Sequence, residues 1–237
     1  MTATRTAALP NVPLEAGTVD TARVRTAKGA TVGVVRLSTW HPTLVPTLAA
    51  AVKAMQSSDG LVLDLRGNTG GVAQMFPWLA GFVLPPATRL GLFRFRDRVH
   101  PLCAAPQAGA VYAGPLVVLV DGHSHSTSEM FAASLQSLGR AQIFGDTTFG
   151  GVVGAQYDRL PNGDVLEHAV VDFETSTGDH PEGRGVIPDQ VVPLRGDDLR
   201  RGTDRVLLAA REWIDAERNR SADEKRHTSM ALAKCAL

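Results

Sequence analysis

Residues 115–151 read PLVVLVDGHSHSTSEMFAASLQSLGRAQIFGDTTFGG, and this stretch decides the fold that we expect. A short apolar run enters a turn of small and polar residues, and a stretch typical of a helix follows at once. A serine in such a turn lies at the mouth of a strand-to-helix elbow, where the N–H groups that begin the helix point towards its hydroxyl. An acyl-transfer nucleophile requires these surroundings.

A second stretch, GLVLDLRGNTGG at 60–71, has the same layout of a buried strand followed by a glycine-rich turn. We expect further strands at 31–39, 115–120 and 141–144, a hairpin at 155–173, and helices at 43–57, 72–84, 128–138 and 203–220. This alternation predicts an α/β domain with a mainly parallel sheet, in which sites lie beyond the carboxyl ends of the strands. The two turns therefore converge on one edge of the sheet.

The composition argues against several classes of protein. Hydrophobic residues make up 44% and charged residues 20% of the 237-residue chain, an ordinary balance for a globular domain. Lys+Arg and Asp+Glu both number 24, so no basic face and no nucleic-acid partner are expected. The two cysteines are too few for a disulfide framework or a zinc site, and no apolar run is long enough for a membrane span. The histidines and carboxylates lack metal-ligand spacing, so we expect neither a metal nor a cofactor.

The chain is expected to divide into three parts. Residues 1–30 form an extended lead-in, 31–220 one core domain, and 221–237 a polar C-terminal tail. The N-terminus lacks the apolar core of a secretory signal, so the protein is cytoplasmic as written, or exported if the sequence begins downstream of its natural start. The predicted helix at 203–220 carries an apolar stripe that another copy of the chain could cover, so a homo-oligomer is possible.

Four segments together resemble the catalytic core of the tail-specific, or carboxyl-terminal processing, serine proteases. In order they are VGVVRLSTW at 32–40, the stretch at 60–71, the stretch at 115–151, and GRGVIPDQVV at 183–192. Relatives of this family include the tricorn core protease and the interphotoreceptor retinoid-binding protein repeats. The resemblance implies a ClpP/crotonase-like α/β fold of repeated strand–strand–helix units. It also implies a peptidase core domain that acts on peptide or protein chains without a cofactor.

The resemblance supplies candidate catalytic residues. Ser126 matches the nucleophile of the family, and the amides of Thr127 and of Gly70 or Gly71 match the donors of an oxyanion hole. Glycine suits the second position because the carbonyl of a substrate must come close to the backbone there. Glu182, just before GRGVIPD, loosely matches a glutamate of the tricorn-like branch, and it would help to orient a histidine base.

The chain departs from the family pattern at the general base. The processing proteases carry a lysine directly after a Phe-Gly pair, whereas Phe149 and Gly150 are followed by Gly151. A serine hydroxyl is a poor nucleophile without a positioned base, so Ser–Lys chemistry is not expected here. His41, at the end of the first core strand, is a candidate base in place of the lysine. The competing interpretation is a loop histidine beside Pro42.

Two more histidines, His123 and His125, lie in the turn that carries Ser126. His125 is adjacent in sequence to Ser126, and the two side chains diverge if the turn is extended. We therefore favour the interpretation that both histidines are turn residues that tune a cleft, and the alternative is that one of them acts as the base.

Two main functions stay open. The first is a serine-type peptidase in which Ser126 attacks the scissile carbonyl. The second, prompted by the absent lysine, is a non-catalytic peptide- or ligand-binding pseudo-protease on the same fold. A crotonase-like acyl-CoA enzyme would share the paired amides, but the sequence shows no signature of a CoA pocket. The peptidase hypothesis requires that the bend at Gly70 and the hydroxyl of Ser126 line a common pocket.

Overall fold

The computed structural model describes residues 17–193, 195–218 and 234–235. The strands are β1 (Val19–Arg25), β2 (Thr31–Leu37), β3 (Gly60–Asp64), β4 (Arg89–Phe95), β5 (Val99–Cys103), β6 (Leu116–Val120), β7 (Gln142–Gly145), β8 (Gly154–Arg159), β9 (Val165–Thr175) and β10 (Gln190–Val191). The helices are a 3-10 turn at Pro42–Leu44, α1 (Val45–Met55), α2 (Met75–Ala80), α3 (Thr127–Ser137), α4 (Gly196–Arg200) and α5 (Arg205–Arg218).

The larger sheet has six strands in the order β1-β2-β3-β6-β7-β10. All neighbours in it run parallel except β1, which pairs antiparallel with β2. Every residue of β3 and β6 is buried, as expected for central parallel strands that are covered on both faces. The prediction of an α/β chain with a mainly parallel sheet is confirmed.

Alternate residues of the central strands face two separate cores. In β3, Leu61 and Leu63 pack on the side of α1, α2 and α3, whereas Val62 packs on the side of α5. The apolar stripe of α5, with Val206 and Ile214, covers that second face of the sheet. The apolar stripe of α5, which in the sequence suggested a possible homo-oligomer contact, is therefore buried within the chain.

The smaller sheet is antiparallel, in the order β5-β4-β9-β8. The hairpin predicted at 155–173 is its β8–β9 unit, closed by a turn in which the N–H of Leu160 donates to the carbonyl of Asp164 at 2.8 Å. Strand β8 is the exposed edge of this sheet. The sheet stands beside the two turns that follow β3 and β6.

Some elements differ from the expectation. Strand β1 lies in the segment expected as a lead-in, of which residues 1–16 lie outside the described part of the chain. The stretch predicted as a helix at 72–84, with an interruption near Pro77 and Gly81, is helical from Met75 to Ala80 and ends at Gly81, where a Cβ would lie 1.9 Å from the carbonyl oxygen of Ala105. Among the residues described, no helix combines the length and the apolar character needed to span a membrane.

A disulfide joins Cys103, at the end of β5, to Cys235. Cys235 belongs to the tail expected at 221–237, most of which lies outside the described residues. The sequence does not predict this bond, because the two cysteines are separated by 132 positions and their pairing depends on the fold.

Replacing both Cys103 and Cys235 by serine should lower the free energy of unfolding by about 2–4 kcal/mol, because the open chain gains conformational freedom when it unfolds. Thermal melting with and without reductant measures the effect. Reductant should lower the melting temperature of the wild type and leave the double variant unchanged. A wild type that melts at one temperature in both buffers would contradict the bond.

Candidate active site

The turns that follow β3 and β6 are joined by hydrogen bonds at the carboxyl edge of the larger sheet. The N–H of His125 donates to the carbonyl of Asn68 at 3.0 Å, and the hydroxyl of Ser128 donates to the same carbonyl at 3.0 Å. Ser124 reaches across from the second turn as well, since its hydroxyl donates to the carbonyl of Leu65 at 2.9 Å. The two turns form one structure, as the neighbouring parallel strands predict.

Gly70 and Ser126 are in direct contact. A Cβ on Gly70 would lie 2.7 Å from the Cβ of Ser126 and 2.9 Å from the carbonyl oxygen of His125. Gly70 has a φ of 96°, which glycine adopts without strain. The glycine bend and the serine therefore share one site, as the peptidase hypothesis requires.

Ser126 has an unusual backbone conformation. Its φ is 55° and its ψ is −118°, and it caps the N-terminus of α3. In the described part of the chain, Ala87 is the only other residue besides glycine with a positive φ. Such torsions cost about 1–3 kcal/mol and persist where the surrounding contacts fix them, often at functional sites.

Two backbone N–H groups beside Ser126 have no acceptor among the described residues. The N–H of Gly70 donates to the side-chain oxygen of Asn68 at 2.9 Å, so this amide is occupied. The N–H groups of Gly71 and Thr127 make no such bond. The resemblance names Gly70 or Gly71 as an oxyanion-hole donor, and of these two Gly71 has the N–H that is available.

The carboxylate of Glu129 holds the serine turn against the loop at 148–151. Glu129 is fully buried, and its Oε2 accepts from the N–H of Ser126 at 2.9 Å and from the N–H of Gly151 at 3.0 Å. Its Oε1 accepts from the hydroxyl of Thr148 at 2.5 Å and from the N–H of Gly150 at 2.6 Å. Sequence reasoning missed this role. The signal was the serine with a glutamate three positions later, which is the pattern of a capping box.

His125 and Ser126 both line the same cleft. The imidazole of His125 packs on the ring of Phe149, with ring centroids 4.5 Å apart. The expectation that these two side chains diverge assumed an extended turn. Because Ser126 has a φ of 55°, the turn is not extended at this residue, and the assumption does not hold.

Neither His41 nor Glu182 is among the residues that line this cleft. His41 caps the 3-10 turn, and its Nδ1 lies 2.7 Å from the hydroxyl of Thr43. The Oε2 of Glu182 accepts from the N–H groups of Val152 and Val153 at 2.6 and 3.0 Å. The structure thus does not bring Glu182 to a histidine, and it uses both side chains to hold local backbone.

An ion-pair network anchors the turn that follows β3 to the segment just before α5. The guanidinium of Arg66 donates to Asp64 at 2.7 Å and to Asp204, just before α5, at 2.7 Å. Burial favours a lower pKa for Arg66, but the hydrogen bonds and charges of both carboxylates outweigh it and raise that pKa above its ordinary value. Burial likewise raises the pKa of Asp204, and the bonds from Arg66 more than reverse this, so the net pKa is lowered. This network braces the turn.

The cleft beside Ser126 has a volume of about 1080 Å³ and runs towards the smaller sheet. That sheet supplies much of its apolar wall, including Phe93, Leu102, Ala155 and Val171. No group of His, Cys, Asp and Glu side chains among the described residues is arranged to hold a metal ion. The cleft is open to solvent, and apolar atoms make up most of its lining.

Residues 31–192 match the sequence profile of peptidase family S41. The carboxyl-terminal-processing protease of Picosynechococcus sp. is 33% identical over 175 residues, which cover 70% of this chain and 40% of that protein. The tail-specific protease of Haemophilus influenzae is 28% identical over 190 residues, covering 75% and 27%. The chain thus spans less than half the length of these curated relatives.

Solved structures show the same similarity. The photosystem II D1 C-terminal processing protease superposes with a TM-score of 0.63 at 27% identity, covering 77% of this chain and 49% of that one. The tricorn protease superposes with a TM-score of 0.62 at 24% identity, covering 79% and 18%. The second likeness concerns the fold alone.

Proposed function

The chain belongs to peptidase family S41, and from this premise we propose that it is a serine-type peptidase that cleaves peptide or protein chains with Ser126 as nucleophile. One observation carries the proposal: Ser126 lies in a cleft next to two N–H groups, of Gly71 and Thr127, that have no acceptor among the described residues. An oxyanion hole needs two such donors beside the attacking oxygen.

The chemistry follows from these positions. The Oγ of Ser126 forms a bond to the scissile carbonyl carbon, and the π electrons of the carbonyl move to its oxygen. The N–H groups of Gly71 and Thr127 donate to the resulting oxyanion. Thr127 begins helix α3, and the positive end of the helix dipole adds to this stabilisation. The N–H of Gly70 is bound to Asn68 and is not one of the two donors. Gly70 contributes by having no side chain, which leaves room for the carbonyl of the substrate.

The cleft supports an extended peptide as substrate. Within the described part of the chain no strand pairs with the outer side of β8, and Gly154 and Ala155 at its start line the cleft beside Gly151. A substrate strand can add to such an edge through main-chain hydrogen bonds, while apolar side chains occupy the wall. We also infer that the core at 31–220 has the ClpP/crotonase-like arrangement, supported by its mainly parallel sheet and by the helices α1 and α3 between successive strands of that sheet.

Labelling with a fluorophosphonate tests the nucleophile. The native wild type should become labelled, and peptide mapping by mass spectrometry should place the label on Ser126. Ser126→Ala and heat-unfolded wild type should stay unlabelled, because the first lacks the hydroxyl and the second lacks the paired amides.

Equal labelling of wild type and Ser126→Ala would remove Ser126 as nucleophile. A folded wild type that stays unlabelled but binds peptides in the cleft would support the non-catalytic alternative. The observation behind that alternative is Gly151, where the resemblance leads one to expect a lysine.

A further inference from the structure

The space beside Gly151 is filled by the imidazole of His125. A Cβ on Gly151 would lie 2.3 Å from Nε2 of His125 and 2.9 Å from its Cδ2. No side chain fits at position 151 while the imidazole is there, because real Cβ atoms do not approach other atoms so closely. A basic nitrogen thus occupies the volume in which a side chain of residue 151 would begin.

The imidazole is held in this place from several sides. Phe149 packs against its ring, and Gly151 leaves it room. The backbone of His125 is fixed at both ends, because its N–H donates to Asn68 and its carbonyl accepts from Ser128. Such support orients a side chain for a defined task.

His125 is also the histidine of the cleft that adjoins Ser126 in the sequence. Of the side chains that line the cleft, Arg98, His100 and His125 carry basic nitrogen. Arg98 is always protonated and cannot accept a proton. His100 lies on β5 in the smaller sheet, whereas His125 is one residue away from Ser126, with about 3.8 Å between their Cα atoms.

We propose that His125 is the general base for Ser126 and takes the part that a lysine at position 151 would otherwise play. This inference rests on the proposed function. As Ser126 attacks, its hydroxyl proton passes to Nε2 of His125, and the imidazolium then gives that proton to the leaving amine as the C–N bond breaks. A water attacks the acyl ester next. Its proton passes to His125 and then to Ser126 Oγ, which restores both side chains.

Two variants at position 125 test the base. His125→Ala and His125→Gln should label with fluorophosphonate about 100- to 10,000-fold more slowly than wild type. Gln keeps much of the volume and a polar tip, so it separates loss of the base from loss of packing. Added imidazole should restore labelling of His125→Ala in proportion to its concentration, which a purely structural role would not produce.

The double variant His125→Ala/Gly151→Lys tests the shared volume. In the wild-type background the imidazole must shift to admit a lysine at 151, so Gly151→Lys alone should label more slowly than the double variant. In the double variant the clash is gone, and labelling should recover relative to His125→Ala. Glu129, which binds the N–H groups of Ser126 and Gly151, is unchanged in every variant and serves as the constant ionisable neighbour.

The outcomes separate this inference from the proposed function. Wild type labelled on Ser126 together with His125→Gln labelled at the wild-type rate, while folded by circular dichroism, overturns His125 as base and leaves the peptidase. Absence of imidazole rescue in a folded His125→Ala also overturns the base. Failure of wild type to label at all defeats the peptidase itself.

Discussion

Replacing Glu129 by alanine should lower the free energy of unfolding by about 3–5 kcal/mol and abolish fluorophosphonate labelling of Ser126. The carboxylate is fully buried and accepts four hydrogen bonds, from Ser126, Thr148, Gly150 and Gly151. Its removal leaves these donors without an acceptor and releases the loop at 148–151 from the serine turn. Urea unfolding measures the first effect, and the labelling rate measures the second.

Two controls sharpen this result. Glu212→Ala removes a glutamate from an exposed position of α5 and should change stability by less than about 0.5 kcal/mol. Glu129→Gln keeps one acceptor oxygen and turns the other into a donor, so it should fall between wild type and Glu129→Ala. If Glu129→Ala unfolds at the wild-type urea concentration, the carboxylate does not hold the two segments together.

Replacing Gly70 by alanine should reduce the rate of Ser126 labelling by at least about 100- to 1,000-fold, the effect of losing one oxyanion donor. The new methyl group would lie 2.7 Å from the Cβ of Ser126 and 3.2 Å from the N–H nitrogen of Thr127. It therefore displaces both the nucleophile and one proposed donor. Labelling kinetics with fluorophosphonate measure the loss.

Gly67→Ala is the matched control for this substitution. Gly67 lies in the same turn with a φ of 72°, and no atom lies within 4 Å of the position of its Cβ. Both variants thus carry the backbone strain of alanine at positive φ, whereas only the one at position 70 crowds Ser126. Equal labelling rates for the two variants would show that contact with Gly70 does not matter to the nucleophile.

The sequence predicts the central part of the fold well. Strand β6 and the first four residues of β3 are apolar runs that lead into small-residue turns, and burial on both faces leaves such runs few alternatives. The meeting of Gly70 and Ser126 follows from the same pattern, because neighbouring parallel strands deliver their turns to one edge. These predictions rest on local pattern and sheet geometry alone.

The remaining features depend on contacts between distant segments. In the sequence, Glu129 resembles any carboxylate in the first turn of a helix. Its bonds to the N–H groups of Gly150 and Gly151 depend on how the loop at 148–151 folds. The place of His125 above Gly151 depends on the left-handed backbone of Ser126, which spacing does not reveal. The bond between Cys103 and Cys235 likewise requires the positions of both in space. Long-range hydrogen bonds and torsions set these details, and single-sequence patterns do not carry them.

The left-handed torsion of Ser126 has a consequence for how this chain tolerates mutational drift. Glycine adopts that torsion freely, so Ser126→Gly would relieve strain that the serine imposes on the native state. A lineage that had stopped using the hydroxyl would gain stability from this exchange. Unfolding of Ser126→Gly would measure how far the relief of this strain exceeds the loss of the serine's cap on α3.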